Sequence, residues 1–251
     1  VVGDDAVASP GQLLKAVLEP VALPALPSAP ERPRIPLSTS ELLVNGRHDL
    51  SIGPEVQREI ASANRIDLLC SFLKFSGLRI VQAELKKHLE HRPGSVRVLT
   101  TTYTGATELR ALKELTDMGA EVRVSYDSAR TRLHAKAWLF HRDSGFSTGY
   151  VGSSNLSGAA MLDGLEWNVR LSQVDNQAIL EKFHTTFEQY WADPEFRPFD
   201  PDEFHQAVTQ HKRQRSAGLL RFDIAPKAHQ SEILDDLQAE RARGHHRNLV
   251  V

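Results

Sequence analysis

The feature that most constrains the fold is a regular alternation of short apolar runs and helical segments between about residues 41 and 191. In the segment 78–89, for example, apolar residues stand at 78, 81, 85 and 89, the spacing of one helix face. The predicted strands are 66–72, 96–101, 121–126, 133–140, 150–152 and 165–171, and the predicted helices are 54–63, 78–89, 107–118 and 177–191. Strands separated by helices of this length predict an α/β sheet with helices on both faces.

Composition excludes several classes of protein. Apolar residues make up 41% of the 251 residues, enough for a sizeable core. The 30 Lys and Arg nearly balance the 32 Asp and Glu, so any nucleic-acid contact must come from a local basic patch. A single cysteine excludes a disulfide framework and a Cys-rich zinc site. With no apolar run of 18 residues and no secretory leader, we expect a cytoplasmic protein without membrane contact.

The chain divides into four segments by composition. Residues 1–40 predict a short helix followed by a tether with six prolines between positions 20 and 36. Residues 41–200 have the composition of one folded domain, and prolines at 194, 198 and 201 mark its end. Residues 201–222 are predicted to be a basic linker, because 211–221 hold four Lys or Arg and no acid. Residues 223–251 form a separate final segment.

Two short motifs carry the candidate chemistry. In a strand, His134 and Lys136 of the sequence H-A-K share one face, although such a pair is expected by chance roughly 0.4 times and is commonly a solvated strand edge. The sequence G-S-S-N at 152–155 follows the next predicted strand. Its turn can present N–H groups and a hydroxyl to an anion, and Asn155 adds an amide. With the charge of Lys136 and the imidazole of His134, these groups suit a phosphate diester.

H-A-K followed by G-S-S-N resembles the half-motif of the phospholipase D superfamily. The resemblance covers roughly residues 41–191, including S-F-L-K-F-S-G-L at 71–78 and the continuation of G-S-S-N to residue 168. It implies a phospholipase D-like mixed β-sheet with a single HxK half-site. It also implies that His134 attacks phosphorus to form a covalent phosphohistidine, that Lys136, Ser153 and Asn155 hold the phosphoryl oxygens, and that Glu166 orients the histidine. From the residues alone, Glu166 could equally be a surface carboxylate.

Two further implications follow from the same resemblance. Family members with one half-site obtain the second by forming a homodimer, which would place two copies of His134 across a shared cleft. The family's motif usually carries an aspartate, commonly structural, at the position where this chain has His141.

The final segment carries a second resemblance. The sequences I-A-P-K-A-H-Q at 224–230 and H-R-N-L-V-V at 246–251 resemble the opening of a superfamily 2 helicase motor. In that family a glutamine near this position reads adenine, and the strand leads into the phosphate-binding loop. Because the chain contains no G-x-x-x-x-G-K-[ST], we expect that it neither binds nor hydrolyses ATP, which would belong to a helicase motor absent here.

The sequence therefore predicts a hydrolase, a metal-independent and cofactor-free endonuclease that cleaves DNA as the nuclease module of a helicase–nuclease. Further DNA contacts are expected at Arg130, Arg132, Lys212, Arg213 and Arg215. The main alternative is a catalytically weak module for DNA binding or dimerisation that targets the helicase, favoured by His141 and the missing second half-site. Lipid hydrolysis is disfavoured because no amphipathic membrane segment is evident, and a metal-dependent nuclease because no carboxylate pair followed by lysine is found.

Overall fold

A computed structural model describes residues 32–45, 50–127 and 133–219, together with residues 233, 237 and 241. Side chains are not described at residue 104 or from 211 to 219. The chain divides into two compact units, Val1–Val208 and Thr209–Val251. Residues 1–31, which hold the predicted short helix and most of the predicted tether, and nearly all of the helicase-like segment lie outside the described residues. The prediction is wrong for residues 32–40, which pack on the folded unit: Ile35 is buried, and Arg170 donates to the carbonyl oxygens of Pro36 and Thr39. Within the described residues, no helix has the length and apolar content to cross a bilayer.

The first unit is built on one mixed sheet of eight strands in the order β1-β7-β6-β5-β2-β3-β4-β8. The pairs β2–β3 and β3–β4 are parallel and the others are antiparallel. The strands are β1 (Glu41–Val44), β2 (Arg65–Cys70), β3 (Val96–Thr101), β4 (Glu121–Ser125), β5 (Lys136–His141), β6 (Thr148–Gly152), β7 (Trp167–Ser172) and β8 (Phe196–Pro198). The helices are α1 (Ile52–Ser62), α2 (Phe75–His91), α3 (Leu109–Asp117), α4 (Gly158–Leu162), α5 (Gln173–Ala192) and α6 (Pro201–Leu219).

Helices cover both faces of this sheet, as the sequence predicts. Because side chains alternate along a strand, β2 sends Ile66 and Leu68 to one face and Leu69 to the other. On the first face these residues join a large apolar core with α1, α2, α3 and α4. On the second face Leu69 packs in a smaller core that includes Phe187 of α5. The α/β class with a mixed sheet is confirmed.

Three short elements are absent from the sequence prediction. Strand β1 has four residues and β8 has three, and α4 is a helix of five residues. Strand β8 ends at Pro198, in the proline-rich stretch interpreted from the sequence as a boundary. A proline is tolerated there because, in the part of the chain that the structure describes, β8 is an edge strand that pairs with β4 alone.

The start of α6 belongs to the core of the first unit. Phe204 is buried and Val208 packs against the large core. The folded unit therefore continues past residue 200, and α6 occupies most of the segment predicted as a basic linker, residues 201–222.

A buried carboxylate ties the N-terminal part of the unit to the middle of the sheet. Glu59 of α1 accepts hydrogen bonds from Arg142, Thr148, Tyr150 and Arg170, and its side chain is fully buried. Buried charges are stable only when they are paired and hydrogen-bonded in this way.

Candidate active site at the sheet edge

The sequence motifs meet at one edge of the sheet. Strand β5 runs antiparallel to both β2 and β6, so its first residue lies beside the ends of these two strands. Lys136 pairs with Cys70 at the end of β2, and Gly152 at the end of β6 pairs with Asn168 near the start of β7. The loops that hold residues 133–135, 153–157 and 163–166 therefore leave the sheet at the same edge.

His134 and Lys136 are in direct contact. The Lys136 Nζ lies 3.0 Å from His134 Nδ1, 3.1 Å from Nε2 and 2.8 Å from the His134 carbonyl oxygen. An ammonium has only donors, so a ring nitrogen must be unprotonated to accept from it, and that is also the form in which an imidazole nitrogen can act as a nucleophile. Strand β5 begins at Lys136, three residues after the start of the strand predicted at 133–140. The prediction that His134 and Lys136 share one face of a strand is therefore wrong: His134 lies exposed before the strand, and Lys136 is buried at its first position.

The charge of Lys136 is placed in an unfavourable setting. Burial lowers the pKa of the Lys136 ammonium from its ordinary value, and the nearby Cys70 and Glu166 act in the opposite direction. A partly dehydrated ammonium gains from a phosphate oxygen that replaces its lost water.

The G-S-S-N loop is fixed by close packing against its neighbours. A Cβ on Gly152 would come within 2.3 Å of the Trp167 carbonyl oxygen, so only glycine fits at this crossing of β6 and β7. The Ser153 hydroxyl donates to the Glu166 carboxylate and accepts from the Trp167 N–H at 3.1 Å. Ser153 and Glu166, both candidate residues, are therefore joined.

Asn155 presents an unused polar group. Its Oδ1 is buried and has no hydrogen-bond partner among the described residues. Because the oxygen and nitrogen of an amide exchange places by a 180° rotation, the same position can offer a donor to an anion. This matches the phosphoryl-binding role expected for Asn155.

Glu166 joins the site through Ser153, whereas the candidate DNA-contact side chains are not described. The described contacts of His134 are with Lys136 and Phe72, and none is with Glu166, whose hydrogen-bond partner is Ser153. Arg130 and Arg132 lie outside the described residues. The backbone of Lys212, Arg213 and Arg215 belongs to α6, and their side chains lie outside the description.

Phe72 is a site residue that the sequence reasoning does not single out. Its ring contacts the His134 imidazole edge-to-face, with centroids 5.6 Å apart, and Lys136 Nζ lies 5.5 Å from its centroid. Such contacts fix the orientation of an imidazole and favour a cation near the ring face. The only signal is its place in the S-F-L-K-F-S-G-L stretch, which carries no chemical role of its own.

His141, at the position where the resemblance leads us to expect an aspartate, lies at the other end of β5. Its Nε2 is 2.6 Å from Oδ2 of the fully buried Asp67, and Arg97 donates to both oxygens of that carboxylate. Burial alone would raise the pKa of Asp67, but the hydrogen bonds from His141 and Arg97 more than offset it, and the pKa lies below its ordinary value. His141 therefore forms a histidine–carboxylate pair with Asp67.

Residues 56–191, more than half of the chain, match the family model described as "Cardiolipin synthase, PLD-like domain". No curated protein matches the chain. Among solved structures, Nuc from Salmonella typhimurium, a phospholipase D family member, is 20% identical, with a TM-score of 0.48, 64% of this chain covered and 97% of that one. NucT from Helicobacter pylori is 12% identical, with a TM-score of 0.48 and coverages of 64% and 99%. With the family model spanning both motifs and most of the sheet, the chain belongs to the phospholipase D-like (PLD-like) family.

Proposed function

We propose that this PLD-like domain hydrolyses phosphodiester bonds in DNA without a metal ion, through a covalent phosphohistidine formed at His134. The observation that carries the proposal is the contact between the Lys136 ammonium and the His134 ring, 3.0 and 3.1 Å from its nitrogens. It lies at the sheet edge from which the G-S-S-N loop also leaves. This supports nucleophile and phosphate-binding groups in one site.

The chemistry proceeds in two balanced steps. An unprotonated ring nitrogen of His134 attacks phosphorus, a P–N bond forms, and the P–O bond to the leaving strand breaks. Lys136 moves from the imidazole to a phosphoryl oxygen, where Ser153 and Asn155 add donors to the developing charge. Water then attacks phosphorus and gives its proton to the group that protonated the leaving oxygen, the P–N bond breaks, and the His134 imidazole is regenerated.

The leaving oxygen needs a proton, and a second copy of the chain is proposed to supply it. The sequence holds one HxK, so a two-fold dimer would place a second His134 across the cleft. An exposed apolar face near the site supports this assembly. Leu42 and Val151 are the cross-strand neighbours of Val169, and all three are exposed, as is Trp167. Contiguous exposed apolar residues of this kind mark interaction surfaces.

DNA as the substrate and a helicase as the fused partner rest on the sequence. The basic stretch 211–221 and the helicase-like sequences at 224–230 and 246–251 support both. The competing function is a PLD-like module that binds DNA without cutting it. One observation favours it: the Glu166 carboxylate is hydrogen-bonded to Ser153, and no contact among the described residues joins Glu166 to His134, the role that the resemblance implies for it.

The test is cleavage of end-labelled single- and double-stranded DNA by EDTA-treated protein. We expect wild type to cleave, His134→Ala to lose at least about a thousandfold in rate, and His91→Ala, an exposed histidine on α2, to match wild type. Rapid denaturation during turnover should trap a protein–DNA adduct that is absent in His134→Ala. Complete dependence on Mg²⁺ would exclude the covalent mechanism, and DNA binding without cleavage would favour the binding module.

A further inference from the structure

A cluster of side chains that could bind a metal ion lies on the face of the sheet opposite α1–α4. Asp67 of β2, His141 at the end of β5 and His184 of α5 each offer one ligand atom, and these atoms all lie within 4.8 Å of one another. Asp67 is fully buried, and the two imidazoles are partly exposed. Their rings meet edge-to-face with centroids 5.2 Å apart.

We propose that Asp67, His141 and His184 form a binding site for a divalent transition-metal ion of the Zn²⁺ class. Two imidazoles and one carboxylate suit Zn²⁺ and Co²⁺, whereas Mg²⁺ prefers oxygen ligands alone. Three protein ligands leave one tetrahedral position for water. The three residues come from three elements, so a bound ion would join β2, β5 and α5.

Only small movements are needed to bring the ligands to one ion. His141 Nε2 and Asp67 Oδ2, now 2.6 Å apart, would each turn a lone pair to the metal, and the single N–H of the imidazole would be carried by Nδ1. His184 Nδ1 is buried and has no hydrogen-bond partner among the described residues, although it lies 3.7 Å from the Glu188 carboxylate. The His184 ring can therefore turn without breaking a hydrogen bond.

The surrounding charges are compatible with a cation. Arg97 donates to both oxygens of Asp67, and Glu188 accepts from Arg97 at 2.6 and 3.1 Å. Arg97 thus has a carboxylate of its own and can remain behind Asp67 as an outer hydrogen-bond partner, a common arrangement for metal-bound carboxylates. Arg65 lies 3.1 Å from His141 Nε2, but its side chain is 39% exposed and can turn into water.

This site is separate from the catalytic one. His141 stands five residues from Lys136 along β5, about 16 Å at the rise of an extended strand. Their side chains also point to opposite faces, since residues an odd number apart alternate in a strand. A metal at this position would stabilise the fold and take no part in phosphodiester cleavage.

The experiment is a titration of tag-free, chelator-stripped full chain with Co²⁺, followed by visible absorption and by calorimetry with Zn²⁺. We expect one saturable site per chain, tetrahedral Co²⁺ bands, displacement by Zn²⁺ but not by Mg²⁺, and a higher Tm with metal. His184→Ala and His141→Gln should each weaken binding at least about tenfold, whereas His91→Ala, a matched exposed histidine, should bind as wild type does.

Circular dichroism of each apo variant establishes that it is folded, and His184 is exposed enough for its truncation to be tolerated. The proposal is overturned if wild type shows no saturable binding, or if folded His184→Ala and His141→Gln keep the wild-type Co²⁺ spectrum, since the metal would then lie elsewhere.

Discussion

The Lys136 ammonium is largely buried, and this burial should affect the pH dependence of catalysis. Burial lowers its pKa, so Lys136 loses its proton at a lower pH than an exposed lysine, whose pKa is about 10.4. If the charged form holds the phosphate, kcat/KM should fall on the alkaline side with an inflection below that value. In Lys136→Arg the guanidinium stays charged, so the rate should be lower but the alkaline inflection should disappear. An inflection that persists in Lys136→Arg would assign it to another group.

At the scale of residues, the sequence was sufficient to predict site residues that stand close together along the chain. His134 and Lys136 are two residues apart, and the G-S-S-N loop ends the next strand, so one register places them together. Phe72 and the Asp67–His141–His184 cluster could not be found in this way, because their members are separated by 43 to 117 positions and meet only through strand pairing and the docking of α5. The sequence shows His141 only as a departure from a motif, whereas the structure shows that it is paired with Asp67.

At the scale of elements, the start of α2 and the loop after Asn155 are interlocked. A Cβ on Gly77 would come 2.3 Å from the Leu156 carbonyl carbon and from the Ser157 N, which are backbone atoms that cannot move aside alone. We expect Gly77→Ala to lower the free energy of unfolding by about 1–3 kcal/mol and to reduce catalysis by displacing Asn155. Urea denaturation and DNA cleavage of the same preparations measure both effects.

Gly158→Ala is the matched control on the same interface. Its added Cβ would meet the Ser76 Cβ at 3.4 Å, an ordinary contact, so stability should stay within about 0.5 kcal/mol of wild type. If Gly77→Ala were as stable as wild type, the prediction would be wrong, and the backbone at Leu156 and Ser157 would be able to move away from the added Cβ.

Elements with a strong periodic pattern were the predictable ones. Strand β3 has the bounds expected from its sequence, and α2 extends the predicted helix by three residues at its start and two at its end. Strands β1 and β8 were not predicted because each is too short to show a period of alternating apolar and polar residues. Each also lies at an edge of the described sheet, where one neighbouring strand constrains its sequence. Their positions depend on partners far along the chain, β7 and β4.

At the scale of the whole molecule, the exposed apolar face predicts the assembly. If Leu42, Val151 and Val169 meet a second copy, sedimentation should report about twice the 28.0 kDa chain mass. Val169→Lys places a charge in that contact and should shift the mass to that of one chain, with loss of cleavage.

Ile179→Lys provides the comparison, because Ile179 is a similarly exposed aliphatic residue that belongs to α5 and not to β1, β6 or β7. It should sediment as wild type does. A monomeric wild type that still cleaves DNA would mean that one chain supplies the leaving-group proton by itself.

The buried Glu59 also has a consequence for the order in which the domain folds. Every donor to its carboxylate stands 83 to 111 residues later in the chain. During synthesis, α1 therefore emerges with a charge that cannot enter a core until β6 and β7 exist, since an unpaired buried carboxylate is strongly destabilising. Contacts between residues so distant along the chain are slow to close, so we expect the Glu59 cluster to form late in folding. Until then the apolar face of α1 would be exposed in the nascent chain, which is the state that a chaperone protects from aggregation.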